Sequence, residues 1–260
     1  VAAVADLARQ AGVSPLVVGD APGFLLPRLA FAYADEGVRL LEEGASVAEV
    51  DGPMARWGMA MGPLRLADEV GTEALARIGR LMAAARPARV RAPDAFDALA
   101  RREVLGAEAG LGFYRAGRDG RPVPNPGAEA VLRGDAPHAA PPPADVRARL
   151  RAALLCEALL ALEDGAVPGP AELDLAAMLG IGFPAFRGGL LWEADRGGPA
   201  ELAAELAALA ARFGPRFAPP PRLLAAEAER RGLYGGIVEP DAPPSPRESG
   251  LADADDATTE

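Results

Sequence analysis

The chain has 260 residues, with 37 acidic against 27 basic side chains and a net charge of −10, enough for one large or two small cores. Every basic side chain is Arg; Lys is absent, and His138, Cys156, Asn125 and Gln10 are each the single residue of their type. That inventory excludes Schiff-base lysine chemistry, lysine-led phosphate loops, a disulfide framework and a Cys-rich zinc site, and the acidic balance argues against nucleic acid or an anionic membrane as partner.

Residues 1 to 12 place Val4, Leu7, Ala8 and Ala11 at helical spacing and close on Gly12. The apolar run Leu16-Val17-Val18 then reads as a buried strand, so residues 1–20 look like the tail of an α/β unit and the chain is expected to start partway through a longer protein. From Leu25 to Gly44 the pattern is helical, with Leu29, Tyr33, Gly37, Leu40 and Leu41 on one stripe. Ser46 and Glu49 have the spacing of a capping box for a helix through about Arg56. Met61-Gly62-Pro63 breaks the pattern, Leu64 to Val70 gives a short helix, Thr72 caps another running to about Arg86, and Asp94 opens one ending near Gly106. Gly112-Phe113-Tyr114 predicts a tight turn into a short extended piece, and residues 117–143, dense in Pro and Gly, read as a linker. Helical periodicity resumes at Ala144 and runs to Gly165, with further helices expected at 170–180, 188–196, 199–213 and 220–231. From Asp241 onward six acids stand against Arg247 in a Pro-, Ser- and Ala-rich stretch, so 237–260 reads as a disordered acidic tail. No apolar run approaches the roughly 18 residues that span a bilayer, and a cytoplasmic location without membrane insertion is expected.

The two helical stretches repeat. Glu36-Gly-Val-Arg-Leu-Leu-Glu-Glu-Gly44 matches Glu157-Ala-Leu-Leu-Ala-Leu-Glu-Asp-Gly165 at an offset of 121, and Glu49-Val50-Asp51 matches Glu172-Leu173-Asp174 at an offset of 123. Met61-Gly62-Pro63-Leu64 then lies against Phe183-Pro184-Ala185-Phe186. Two copies of one helical domain is the economical reading, and the expected fold class is all-α.

Few residues offer chemistry. His138 sits in the Pro-rich linker, which gives a general base no rigid surround. Cys156 lies mid-helix among leucines and reads as a small core residue. Glu36 and Glu157 are each followed six residues later by another acid; acids near a helix end are ordinarily solvated, and that is the expectation. Gly110-Leu-Gly112 and Gly180-Ile-Gly182 lack the strand and helix context of a dinucleotide fingerprint, and no loop has the carboxylate spacing of a metal site. The bends at Met61–Leu64 and Phe183–Phe186 fit the mouth of an apolar groove between helices, and core packing explains them about as well.

Pro15-Leu-Val-Val-Gly-Asp-Ala-Pro-Gly-Phe24, Met61-Gly-Pro-Leu-Arg-Leu-Ala-Asp68, Gly110-Leu-Gly-Phe-Tyr114, Leu179-Gly-Ile-Gly-Phe-Pro-Ala-Phe-Arg-Gly-Gly189 and Phe213-Gly-Pro-Arg-Phe217 occur in this order. Together they resemble the C-terminal part of 3-hydroxyacyl-CoA dehydrogenases, most of all the multifunctional alpha subunit of the bacterial fatty acid oxidation complex. The resemblance covers about residues 1–236. It implies a tandem all-α architecture: a dinucleotide-domain remnant at 1–20, helical domains at 21–116 and 144–236, and the linker between them. It implies NAD as cofactor, held mainly by a domain outside this chain that also carries the family's His-Glu catalytic pair. The implied substrate is a 3-hydroxyacyl-CoA, oxidised to 3-oxoacyl-CoA, with a thiolase subunit as partner. Carried over residue by residue, Met61, Gly62 and Pro63 become an acyl-pocket wall, and Gly23 and Phe24 an interdomain turn. Three positions depart from the pattern: Pro27, ahead of Arg28, stands where the family has a catalytic Asn, Glu108 where it has a Lys approaching NAD, and Leu179 where some alpha subunits have a substrate-contacting Tyr. This segment alone is not expected to turn over. The alternative reading is a non-catalytic acyl-CoA-binding or complex-assembly module descended from the enzyme.

Overall fold

The computed structural model describes residues 1–134 and 137–235; the expected acidic tail at 237–260 lies outside the described residues. Two long helices form the centre, α2 (Leu26–Glu42) and α8 (Pro143–Glu163), packed against each other. Residues 154 to 162 of α8 are all buried, the condition of a helix apolar around its whole circumference. N-terminal to α2 lies α1 (Ala2–Gln10). Around α2 are α3 (Val47–Trp57), α4 (Pro63–Val70), α5 (Thr72–Ala85) and α6 (Asp94–Arg101). A hairpin of β1 (Tyr114–Ala116) and β2 (Pro122–Pro124) follows, with Tyr114 opposite Pro124 and Ala116 opposite Pro122, then α7 (Pro126–Arg133). The second half adds α9 (Pro170–Gly180), a 3-10 turn at Ala185–Arg187, α10 (Leu190–Asp195), α11 (Gly198–Phe213), a 3-10 turn at Pro215–Phe217 and α12 (Pro221–Glu229). The fold is mostly helical, with this hairpin as the sheet among the described residues.

Several elements differ from the sequence expectation. Leu16–Val18 is not a strand. A strand needs a partner to complete its ladder, and here Val17 and Val18 are 51% and 36% exposed. Thr72 does not cap α5; Gly71 holds that position and the Thr72 hydroxyl donates to the Val104 carbonyl at 2.9 Å. The helix opened by Asp94 stops at Arg101, before Glu103 adopts a left-handed φ of 59°. The 117–143 segment is no plain linker, since it contains β2 and α7, the latter packed on α2 and α6. Asn125 starts α7 by accepting the Gly127 amide at 3.0 Å, and Pro126 occupies the first turn, where its missing N–H costs nothing.

One hydrogen-bond arrangement occurs in both halves. Asp51 of α3 accepts the Leu64 and Arg65 amides, each at 2.9 Å, and the Tyr114 hydroxyl at 2.9 Å, tying α3, α4 and β1 together. Asp68 of α4 accepts the Phe113 and Tyr114 amides at 2.7 and 2.8 Å. In the second half Asp174 accepts the Leu191 and Trp192 amides at 2.7 and 2.9 Å and the Tyr234 hydroxyl at 2.5 Å, while Asp195 accepts the Leu233 and Tyr234 amides at 2.6 and 3.3 Å. Glycines make the close approaches possible: a Cβ on Gly62 or Gly189 would overlap Asp51 or Asp174, and one on Gly112 would overlap Asp68. Gly62 therefore corresponds to Gly189, not to Pro184 as the sequence alignment had it; the longer stretch in the second half forms the Ala185–Arg187 turn.

Gly112→Ala is expected to lower stability by about 1–3 kcal/mol, because the new methyl group displaces the Asp68 carboxylate. Urea unfolding monitored by circular dichroism measures this; an unchanged midpoint would show that the Asp68 contact is dispensable.

Candidate functional site

The chain enters α2 through two consecutive left-handed residues, Gly23 at φ 76° and Phe24 at φ 52°. A left-handed Phe costs roughly 1–2 kcal/mol, and its ring is about half exposed. Pro27 lies in the first turn of α2, where proline is tolerated, and brings no hydrogen-bonding side chain to that position. Glu108 is exposed on the turn before Gly110, and Leu179 is 71% exposed near the end of α9. Gly180 packs against the Leu26 side chain, so the C-terminal end of α9 meets the start of α2. Met61 is half-buried and its carbonyl accepts the Tyr33 hydroxyl at 3.4 Å. Gly62 and Pro63 are buried, the first against Asp51 and the second against Gly37 of α2.

Between α2 and α8 the two helices exchange arginines. Arg28 of α2 pairs with Glu157 of α8 and lies 2.9 Å from Asp164. Arg149 of α8 pairs with Glu36 of α2 at 2.7 Å and with Glu43 at 2.5 Å. Arg216 also grips Glu36, at 2.6 Å and 3.1 Å. The sequence led us to expect Glu36 and Glu157 to be solvated, and that expectation fails: both are buried, as are Arg28 and Arg149. The cause is that each acid finds its arginine on the opposite helix, and a paired charge tolerates burial where an isolated one does not. The sequence did carry a signal for this: Arg149 follows Arg28 at the same offset, 121, that relates Glu157 to Glu36.

Cys156 lines a cavity of about 50 Å3 between the helices together with Phe31, Glu157 and Phe217. Burial pushes its thiol up to about 12, so the sulfur is an inert core group rather than a nucleophile. His138 is held more firmly than a linker position would be: its Nδ1 lies 2.9 Å from the Gly44 carbonyl and its Nε2 3.4 Å from Glu49, while the Ala139 amide donates to the same carbonyl at 3.0 Å. Met61, Gly62 and Pro63 line neither this cavity nor a larger one beside Arg28. Among the described residues no three His, Cys, Asp or Glu side chains converge in a metal-binding cluster, and no helix is long and apolar enough to cross a membrane.

Residues 23–116 match the family described as 3-hydroxyacyl-CoA dehydrogenase, C-terminal domain. Residues 23–116 carry that domain. The fatty acid oxidation complex subunit alpha of Shewanella amazonensis is 34% identical over 239 residues, covering 90% of this chain and 33% of that protein. The subunit of the same name from Vibrio vulnificus is 32% identical over 234 residues, again 90% of this chain and 33% of the relative. The chain thus spans about a third of the length of the curated relatives it matches. Among solved structures, 3-hydroxybutyryl-CoA dehydrogenase from Escherichia coli K12 shares the fold at a TM-score of 0.67 and 19% identity, over 87% of this chain and 64% of that one. The dehydrogenase part of multifunctional enzyme 1 from C. elegans does so at 0.58 and 18%, over 86% and 52%. The dehydrogenase C-terminal domain match ends at β1, just past the Asp68 contact.

Glu36→Gln is expected to cost about 3–5 kcal/mol, since it leaves two arginines facing a neutral amide, one of them fully buried. Glu43→Gln, at a side chain 51% exposed, is expected to cost under about 1 kcal/mol; urea titration of the two variants separates them. A pH effect follows from the aspartates of the first half. Burial pushes the Asp51 and Asp68 carboxyls up to about 6, against the amides that hydrogen-bond them. The folded chain then holds protons that the unfolded chain has released, so this contribution to stability falls as pH rises from about 4 to about 6. Melting of the wild type and of Asp51→Asn across that range checks the sign: the wild type gains stability relative to the variant on acidification.

Proposed function

We propose that this chain is the helical, substrate-binding and assembly half of an NAD-dependent 3-hydroxyacyl-CoA dehydrogenase acting in fatty acid β-oxidation. The observation that carries the reading is the doubled network. Arg28–Glu157 and Arg149–Glu36 are reciprocal, and the Asp51–Tyr114 contact recurs as Asp174–Tyr234. Two copies of one domain, 21–116 and 144–236, related in this way make within one chain the self-complementary contact that an isologous dimer makes between two. Residues 1–20 are the last piece of the dinucleotide-binding domain, and β2 and α7 belong to the connection between the copies.

The described residues do not fit NAD. Gly110-Leu-Gly112 leads into β1 rather than into a helix N-terminus, so it presents no row of amides to a pyrophosphate, and Glu108 puts a negative charge beside it. No step through the cofactor is derived from this chain. Its own residues position: the Gly23–Phe24 turn aims the first turn of α2, and Met61, with Gly62 held against Asp51 of α3 and Pro63 against Gly37 of α2, edges the acyl groove. The base comes from the domain that carries the His-Glu pair. A thiolase subunit as partner and a cytoplasmic location belong to the same reading.

Pro27 and Glu108 favour a second reading, a non-catalytic acyl-CoA-binding or assembly module, because neither supplies the hydrogen bond or the charge of the family residue it replaces. NADH formation by the whole gene product with a 3-hydroxyacyl-CoA decides between them. The enzyme reading expects turnover, and a rise of roughly 10²-fold in Pro27→Asn as an amide is restored near the reacting oxygen. A folded whole product that binds acyl-CoA with no turnover in either form would establish the second reading.

A further inference from the structure

Arg28 and Arg149 occupy matching positions on α2 and α8 but are finished differently. Arg149 uses its whole guanidinium: Nε donates to Glu36 at 2.7 Å, Nη1 and Nη2 donate to Glu43 at 2.5 and 2.8 Å, and the Phe213 ring covers its face with a centroid 4.4 Å away. Arg28, only 1% exposed, donates through Nε to Glu157, while Nη1 and Nη2 have no hydrogen-bond partner. Asp164 lies 2.9 Å from Nη2 as an ion pair, which leaves Nη1 without an acceptor. Without an aromatic cover, Arg28 borders a cavity of about 370 Å3, from which its Nη atoms are shielded.

A second arginine lines the same cavity. Arg86, at the end of α5, reaches Asp164 at 2.6 Å, so one carboxylate bridges both guanidinium groups. Asp164 is 30% exposed and caps the C-terminal end of α8, where the helix dipole disfavours a negative charge. Ala21 and Met82 add apolar wall, and Asp20 adds a second carboxylate. The segment bearing Asp20 and Ala21 is pinned by the Gly19 amide, which donates to the Ala166 carbonyl at 2.9 Å; a Cβ on Gly19 would overlap the Gly165 carbonyl oxygen.

We propose that this cavity is a binding site for a small organic oxyanion, a carboxylate or a phosphate monoester, held by Arg28 and Arg86 in the place that Asp164 holds in its absence. The buried Nη1 of Arg28 has no acceptor, Nη2 has only the movable Asp164, and the fork geometry of Arg suits the two oxygens of such a group. The incoming anion takes over both arginines as Asp164 turns to solvent, so the local charge balance is kept. The volume exceeds that of a bare ion, and the Ala21 and Met82 walls take the carbon skeleton. Asp20 accepts from a hydroxyl or amine carried on it. The site lies apart from the candidate acyl-pocket residues, since Met61, Gly62 and Pro63 line none of it.

Isothermal titration of the full chain with sodium phosphate and with sodium acetate, at an ionic strength held constant with sodium chloride, tests the site. Asp164→Asn removes the internal competitor and is expected to bind at least one of the two anions at least tenfold more tightly than the wild type, and Arg86→Met to lose that binding at least tenfold while melting cooperatively. Saturable binding of phosphate alone assigns a phosphate monoester, and of acetate a carboxylate. No saturable binding of either anion to folded Asp164→Asn, or equal binding by Arg86→Met and wild type, overturns the proposal. Should Asp164→Asn fail to fold, the wild-type titration against Arg86→Met decides: binding that vanishes in the variant supports the site, and binding that is absent or unchanged refutes it.

Discussion

The structure depends on burying four charges between two helices. Arg28 and Glu36 on α2 meet Glu157 and Arg149 on α8, all four nearly inaccessible to water. Desolvating such charges costs several kcal/mol each, and only mutual pairing with further hydrogen bonds offsets it. Within α2 itself Arg39 reaches Glu36 only at 4.0 Å, so the close partners come from outside the helix. A chain that brings α2 and α8 together in any other register strands an arginine or a glutamate in the core, so the pairs specify one approach of the two halves more than they add stability. The apolar side chains that the two helices bury in the common core, Leu29 and Val38 of α2 and Leu150 and Leu159 of α8 among them, are permissive about register by comparison.

Behind that contact each half is closed by the same device. An aspartate at the core side of one helix caps the next and accepts a tyrosine hydroxyl from the end of the half, and a glycine stands wherever backbone must pass the carboxylate. The connection works because a carboxylate has capacity for several donors, so a single side chain can join three elements.

What was legible in the sequence follows what is local. The capping box of Ser46 and Glu49, with both of its hydrogen bonds present, is fixed within four residues. The long helices α2 and α8 carry enough periodic or continuous apolar pattern to stand without context. Non-local features were misread. Leu16–Val18 has strand composition, yet strand formation is decided by a partner. Glu36 looked solvated because its arginines, Arg149 and Arg216, lie 113 and 180 residues away. Proline misled in one place: a residue type taken as linker material begins α7, as it begins α4, α8, α9 and α12. The candidate acyl-pocket residues were read by resemblance, and the geometry shows why two of them are constrained regardless of substrate: Gly62 must clear Asp51, and Pro63 must fit against Gly37.

The family match covers the first half, and the exchanged ion pairs tie that half to the second, so the two are expected to unfold as one unit. Each half has one tryptophan, Trp57 and Trp192, so equilibrium urea unfolding followed by fluorescence in Trp57→Phe and Trp192→Phe backgrounds, with and without Arg149→Met, tests this most directly. The account predicts coincident single transitions that both move to lower urea when Arg149 is replaced. Two separate transitions, with Arg149→Met shifting only the one reported by Trp192, would contradict it.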